Sequence, residues 1–219
     1  MTSVGVQGVI SDPVLHLFGP SGSTIAVNDN WQDTQPAEIQ QTGIAPQDPR
    51  ESAIIATLPP ANYTATVTDA SGNNGVGLVE IYDLNSAANA RLANISTRGS
   101  IQTAENVMIG GFALGGTSIN PAKVVVRALG PSLQQAGITG PLANPTLQLF
   151  DRNGQLVANN DNWADVPSQA AELQALNLAP SNPAEAAVVE TLPPGLYTAL
   201  VAGHNGTIGV GLIEVYGVQ

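Results

Sequence analysis

The chain has 219 residues, of which only 11% are charged, and its formal net charge is −11. This acidic balance disfavours nucleic acid and anionic membrane surfaces as partners, and the absence of cysteine excludes disulfide and thiol chemistry. Apolar residues make up 43% of the sequence, yet no apolar run approaches the ~20 residues of a bilayer span, so membrane insertion is not expected.

The first predicted elements form a β-hairpin. Two strands, Val14–Phe18 and Thr24–Val27, are separated by a turn that contains Gly22. The loop Asn-Asp-Asn-Trp follows at residues 28–31, and a short amphipathic helix is then predicted at Ala37–Gln41. The pattern is clearest in the later counterpart of this segment, where Leu173 and Leu176 fall on one helical face.

A third predicted strand, Ala53–Thr57, leads into the segment TLPPANYTATVTDASGNNGVGLVEIY at Thr57–Tyr82. Two prolines near its start remove backbone donors, and branched and aromatic residues alternate on both sides of a polar tip. This pattern predicts a second β-hairpin, which needs a larger sheet to bury its apolar face.

Residues 84–143 occur once and add three predicted strands, which are Leu92–Thr97, Val107–Leu114 and Lys123–Leu129. The glycine pairs at 110–111 and 115–116 predict bulges or turns. Residues 83–143 carry four basic and two acidic residues, so this is the segment that could attract the acidic flanks.

The elements of the first copy recur after residue 143, because the Asn-Asp-Asn-Trp loop returns at residues 160–163 and the long hairpin segment returns 134 positions later. Five strands of this copy and the three single-copy strands give about eight, a usual number for a closed sandwich or jelly roll. The predicted elements of the second copy are the strands Thr146–Phe150, Gln155–Ala158 and Ala186–Thr191, the helix Ser168–Leu176 and the hairpin Thr191–Tyr216.

We therefore predict an all-β protein of two β-sandwich or jelly-roll-like modules, of which the first is incomplete. Residues 84–219 form the complete module, in which 84–143 supply the single-copy strands and 144–219 form the second copy. Residues 1–83 form the incomplete module, and its open edges favour pairing with another chain.

Three arrangements are compatible with this asymmetry. The middle segment could serve both copies. A second copy of the chain could complete the first module head to tail, which would build an open filament. The sequence could also be a piece of a longer repeat protein. The partner that we expect is therefore the protein itself.

A set of short motifs carries a family resemblance: RALGPSL at Arg127–Leu133, LANISTRG at Leu92–Gly99, NVMIGGF at Asn106–Phe112, and the repeated NDNW and GVGL segments. Together they resemble a tandem repeat of large secreted or cell-surface proteins of environmental bacteria. From Pro145 onward the chain is also similar to bacterial pre-peptidase C-terminal β-sandwich modules. The resemblance implies an extracellular or cell-surface, non-catalytic module with an accessory or structural role, and some such modules bind calcium.

The two Asn-Asp-Asn-Trp loops are the candidate binding sites. Calcium takes about six to eight oxygen ligands, and each loop together with one later glutamate could supply several of them. The alternative is an Asx turn, in which the side chains bond their own backbone and the tryptophan packs beneath. The candidate ligands are Asp29, Asn30, Asp33 and Glu51 in the first copy and Asp161, Asn162, Asp165 and Glu185 in the second.

Three other readings of single residues complete the candidates. Trp31 and Trp163 could stack on a carbohydrate, although packing is the commoner role of such residues. Asp161 and Glu185 could form an acid pair of the glycosidase type, but a catalytic pair duplicated in an incomplete module is not expected, so we predict no enzyme activity. Arg127 could clamp an anion, and its apolar flanks favour instead a structural role in which it bonds carbonyls and an acid.

Overall fold

A computed structural model describes residues 1, 5–85, 92–115 and 120–218 of the chain. The chain divides into two compact units, Met1–Arg91 and Leu92–Gln219, which are called unit 1 and unit 2. Every described sheet is antiparallel, and the described helices are short. The prediction of an all-β protein built of sandwich modules is therefore confirmed.

The described part of unit 1 contains one sheet of three strands, in the order β2-β1-β3. The hairpin of β1 and β2 was expected from its glycine turn, and the helix α1 begins one residue before its predicted start. The elements are β1 (Pro13–Phe18), β2 (Thr24–Asn28), α1 (Pro36–Gln41) and β3 (Thr64–Asp69).

Unit 2 has eight strands in its described residues, and they form two four-stranded sheets. The sheet orders are β5-β10-β7-β8 and β4-β11-β6-β9, so consecutive strands mostly alternate between sheets, as in a jelly roll. Each strand lies within a few residues of its predicted position. The elements are β4 (Asn94–Ile101), β5 (Met108–Leu114), β6 (Ala122–Leu129), β7 (Pro145–Asp151), β8 (Leu156–Asn160), α2 (Pro167–Ala175), β9 (Ala186–Leu192), β10 (Gly195–Gly203) and β11 (Gly209–Val218).

The two sheets of unit 2 pack face to face around one apolar core. Alternate residues of each strand enter it because successive strand side chains point to opposite faces. Leu147 and Leu149 of β7 meet Val124 and Val126 of β6 in this cluster. The other face of β6 and β9 is covered by α2, whose Leu173 is fully buried.

Gly110 lies inside the regular part of β5, where it pairs with Ala199, and the predicted bulge at residues 110–111 is therefore wrong. A side chain at this position would instead approach the other sheet. A Cβ atom on Gly110 would lie 2.8 Å from Cδ1 of Ile213, which is closer than packed carbon atoms approach. Gly115 has a φ of 149°, as a turn glycine can, and Gly116 lies outside the described residues.

The predicted hairpin at Thr191–Tyr216 is wrong, although both of its strands form. β10 pairs with β5 and β7, whereas β11 pairs with β4 and β6 in the opposite sheet. A 3₁₀ turn at His204–Gly206 lies between them. The alternating pattern identifies a strand, but it does not identify the strand with which it pairs.

Two predicted strands of unit 1 do not form. Residues 53–57 are not in a strand, and residues 76–82 make only an isolated bridge between Val9 and Val76. Their equivalents in the repeat are β9 and β11, and both of these pair with β6. The described residues of unit 1 contain no strand in the position of β6, so these segments lack the hydrogen-bonding partner that defines a strand.

Candidate functional site

The two Asn-Asp-Asn-Trp loops fold as turns that are stabilised by their own side chains. The Asn30 amide donates a hydrogen bond to the Asp33 carboxylate at 3.1 Å, and the Asn162 amide donates to Asp165 at 3.2 Å. The backbone N–H of each aspartate also donates to the carbonyl of the asparagine three residues earlier. The backbone bond closes a β-turn, and the side chains bond each other rather than their own backbone. These contacts therefore differ from those of the predicted Asx turn, in which a side-chain oxygen accepts a backbone N–H.

The first asparagine of each loop ties the loop to the next segment of the chain. The Asn160 amide donates to the Asn162 carbonyl at 3.0 Å, and its carbonyl accepts the N–H of Ala187 in β9 at 3.0 Å. Asn28 makes the equivalent bonds to Asn30 and Ala53, both at 2.9 Å. The loops therefore brace the strand or segment that follows them.

The two glutamates of the candidate calcium shells have other partners. The Glu185 carboxylate is fully buried and accepts hydrogen bonds from the N–H groups of Gly130 at 3.0 Å and Ser132 at 2.9 Å, and from the Ser132 hydroxyl. The Glu51 carboxylate accepts a bond of 3.4 Å from the N–H of Asp48. Within the described ranges, no group of three or more acidic or histidine side chains could hold a metal ion.

Asp29 and Asp161, the other two acids at equivalent loop positions, differ in their surroundings. Asp29 is exposed. In unit 2, the equivalent Asp161 faces His204, whose Nδ1 lies 2.9 Å from one carboxylate oxygen. The other oxygen of Asp161 is buried and has no hydrogen-bond partner among the described residues.

Both tryptophans are packed rather than presented to solvent. Trp31 is 5% exposed. Trp163 packs against the cluster between α2 and β9, and its indole N–H donates to the Asn182 carbonyl at 3.2 Å. Little ring surface is therefore left on Trp31 for stacking with a sugar.

Arg127 fastens β6 to its neighbours, as its structural reading predicted. Its Nε donates to the Glu214 carboxylate at 2.9 Å, and Nη1 donates to the Leu178 carbonyl at 3.0 Å. Nη2 donates to the Tyr216 hydroxyl at 3.1 Å, and the guanidinium lies 5.1 Å from the centre of the Tyr216 ring. Burial, and then the Glu214 charge, raise the pKa of Tyr216.

The acid and the tyrosine of this network recur in unit 1. The Tyr82 hydroxyl donates to Glu80 at 3.0 Å, as the Tyr216 hydroxyl donates to Glu214 at 2.9 Å. This hydrogen bond raises the pKa of Tyr82. Residues 1–85 contain one basic side chain, Arg50, and it pairs with Asp48 at 2.9 Å.

Unit 1 presents a set of apolar side chains to solvent, and this set is called the open face. Its equivalents in unit 2 are buried or partly buried; Leu58, for example, is 37% exposed, whereas Leu192 is 3% exposed. In unit 2 these positions are covered by strands of the segment 92–133. The members of the open face are Leu58, Val76, Leu78, Val79, Ile81, Tyr82 and Leu84.

The two segments beside the missing strand are nevertheless held in place. On one side, the Gln35 side chain accepts the N–H of Ile55 at 3.1 Å, as Gln169 accepts that of Val189 at 3.4 Å. On the other side, the N–H of Val76 donates to the Gly8 carbonyl at 2.8 Å. Unit 1 thus keeps the contacts of a jelly-roll half whose central strand is absent from its described residues.

Sequence reasoning missed two of these features. It treated Glu51 and Glu185 as loop ligands, and it did not single out Glu80 and Glu214. The repeat itself is the signal that could have identified these acids, because each acid has an equivalent in the other copy. That the acids lie in or beside strands that pair with β6 becomes clear only when the strand pairing is known.

Comparisons with known proteins give structural likenesses without a sequence match. No protein-family model matches the chain, and no curated protein sequence matches it. The pre-peptidase C-terminal domain of a collagenase from Bacillus anthracis is similar to 56% of this chain and 88% of that domain, with 14% sequence identity and a TM-score of 0.35. None of the helices in the described residues has the length and apolar character needed to span a bilayer.

Proposed function

We propose that the protein is a non-catalytic structural component of the bacterial cell exterior, whose copies join head to tail by strand complementation into a filament or surface layer. In strand complementation, a donor strand of one polypeptide completes the sheet of another. The open face of unit 1 is the acceptor. The donor is the segment 92–133, which supplies β4, β5 and β6 in unit 2.

The observation that carries this proposal is the difference in burial between equivalent residues of the two units. The open face contains seven large apolar side chains that are between 37% and 61% exposed, so burying the rest of each contributes roughly half of the ~1.5–3 kcal/mol of full burial. Their sum is comparable with the ~4–15 kcal/mol that association costs in lost motional freedom. A donor segment that is not already paired in its own unit 2 could therefore bind this face.

Identical copies can only exchange their donor segments. The described residues of each chain contain one donor segment and two acceptor units, so a donor that fills unit 1 of the next copy leaves its own unit 2 open, as in domain swapping. The apolar area buried per chain changes little, and protein concentration decides the balance. Because unit 2 must open first, we expect junctions to form slowly from folded protein and readily during refolding.

Refolding at two concentrations tests the assembly. The chain is unfolded in guanidinium chloride and refolded at micromolar and at near-millimolar concentration, and the products are compared by sedimentation velocity and electron microscopy. We expect monomers at the lower concentration and rows of copies at the higher one. Monomers alone at both concentrations would contradict head-to-tail assembly.

Two observations support the exterior location and the absence of catalysis. Few residues are charged, so the surface consists largely of Asn, Gln, Ser and Thr, a composition that is common in secreted β proteins. The buried acids Glu185 and Glu214 are engaged in hydrogen bonds that hold strands together, which is a structural use of a carboxylate.

Calcium binding by an accessory module is the second candidate function, and one atom favours it. The unpartnered carboxylate oxygen of Asp161 could be satisfied by a cation. A ligand of the native state raises the melting temperature, so melting curves in calcium and in chelator test this candidate, with Asp161→Asn as the control. Curves that coincide for the parent chain would exclude it.

A further inference from the structure

Two carboxylates of the second copy hold the β6 segment in unit 2. Glu214, on β11, binds the guanidinium of Arg127. Glu185, one residue before β9, binds the N–H groups of Gly130 and Ser132. The donor groups therefore lie close together in the sequence, at the end of one strand and in the turn that follows it.

The repeat places Glu80 and Glu51 at the corresponding positions of unit 1. Their local surroundings are retained as well. Tyr82 donates to Glu80 as Tyr216 donates to Glu214, and the N–H of Asp48 reaches Glu51 at 3.4 Å, the distance at which Asn182 reaches Glu185. Each carboxylate thus keeps in unit 1 the contact that its equivalent makes within the same copy of the repeat in unit 2.

The donors are the part that unit 1 lacks among its described residues. The single basic side chain of residues 1–85, Arg50, is engaged with Asp48. Glu80 is exposed, whereas Glu214 is 8% exposed beneath its arginine. An acceptor site with two unneutralised carboxylates selects a donor of complementary charge.

We infer that unit 1 recognises part of the donor segment, residues 122–133 of a second polypeptide, through Glu80 and Glu51. Arg127 of the second polypeptide binds Glu80, and the turn at Gly130–Ser132 of the same polypeptide binds Glu51. This inference rests on the proposed strand complementation and adds the polar groups that select the strand.

The apolar and polar parts of the donor have separate roles. Val124, Val126 and Ala128 enter the core of unit 2 and would supply most of the affinity in unit 1. A donor without the arginine would cover Glu80 and leave its charge buried and unpaired, which is strongly unfavourable. The two carboxylates therefore disfavour the binding of apolar strands that lack the arginine and the turn N–H groups, and this makes binding specific for the correct strand.

A labelled peptide of residues 122–133 tests the inference with the full chain. Fluorescence anisotropy measures its affinity for the parent chain and for the variants Glu80→Gln and Glu51→Gln. We expect either variant to weaken binding by roughly 10–100-fold, the size expected for hydrogen bonds to a charged group. Glu38→Gln, an exposed acid on α1, is the matched control and should leave affinity unchanged.

A peptide with Arg127→Gln completes a double-mutant cycle with Glu80→Gln. We expect the two changes together to cost little more than either alone, because both remove the same ion pair. Equal binding of the two peptides, additive losses, or no binding of either peptide would overturn the inference.

The oligomeric state separates the inference from the proposed function. If copies assemble on refolding and Glu80→Gln and Glu51→Gln leave that assembly unchanged, the recognition by carboxylates is wrong and complementation stands. If the parent chain binds no peptide and never assembles, both are wrong.

Discussion

Val79 and Ile213 occupy equivalent positions of the repeat, yet Val79 is 43% exposed and Ile213 is 2% exposed. Ile213 is covered because β11 lies between β4 and β6 and faces Gly110 of the opposite sheet. The same sequence pattern therefore exists in a closed and in an open form within one chain.

This pair predicts unequal effects of the same truncation. Ile213→Ala should destabilise unit 2 by about 2–5 kcal/mol, because it leaves a cavity in the core. Val79→Ala should change the stability of unit 1 little. Urea unfolding followed through Trp163 in a Trp31→Phe background, and through Trp31 in a Trp163→Phe background, reports the two units separately. Similar losses in both units would show that Val79 is also packed.

The acid on β11 gives a second matched pair. Glu214→Gln should destabilise unit 2 by about 1–3 kcal/mol, because the largely buried Arg127 loses its charged acceptor. Glu80→Gln should leave the unfolding of unit 1 unchanged, since Glu80 is exposed. Urea unfolding followed by the same tryptophan fluorescence measures the effect of each change. If Glu214→Gln does not lower the stability of unit 2, Arg127 does not fasten the sheet.

Two asparagines of the second loop give a third matched pair. Asn160→Ala removes both the bond to the Asn162 carbonyl and the acceptor of the Ala187 N–H, so we expect a loss of about 1–3 kcal/mol in unit 2. Asn162→Ala removes one solvent-accessible bond to Asp165 and should cost less. Thermal unfolding by circular dichroism measures the order, and the reverse order would mean that Asn160 does not brace β9.

Asp151 predicts part of the acid sensitivity of unit 2. The N–H groups of Gln155 and Asn153 donate to its carboxylate at 2.9 and 2.8 Å and hold its pKa below the usual value. Its stabilising contribution is therefore complete above the unfolded pKa of about 3.9 and is lost as the pH falls through the lower folded value.

Melting temperatures between pH 3 and pH 6 test this contribution. Asp151→Asn should lower the melting temperature at the upper end of the range and lose less on acidification than the parent chain does. Asp29→Asn, a change of an exposed acid in unit 1, is the control. Parallel curves for the parent and Asp151→Asn would mean that the turn bonds do not depend on the charge.

The strand positions of unit 2 could be predicted from the sequence because each strand is either an alternation of apolar and other residues or a short continuous apolar run, as in β6, and is bounded by turn residues. The partners could not. β10 and β11 are joined by a polar tip that is typical of a hairpin, and only the two-sheet core explains why they separate. Gly110 was mistaken for a bulge because the close contact with Ile213 lies far away in the sequence.

The candidate site is also only partly predictable from the sequence. Residues 53–57 and 76–82 have the composition of strands, but a strand exists only with a partner, and their pattern contains no information about whether one is present. The sequence makes Glu185 a candidate calcium ligand because the loop that precedes it is rich in side chains with oxygen ligands. Its contacts with Gly130 and Ser132 depend on a fold that brings residues 130 and 185 together.

Amide hydrogen exchange of residues 76–84, measured by mass spectrometry with and without an added polypeptide of residues 92–143, tests strand complementation most directly. Residues 210–218 provide the internal reference for a strand that is already paired. We expect the added donor to slow exchange at 76–84 towards the rate of the reference. Unchanged exchange at 76–84 under saturating donor would contradict the existence of an acceptor in unit 1.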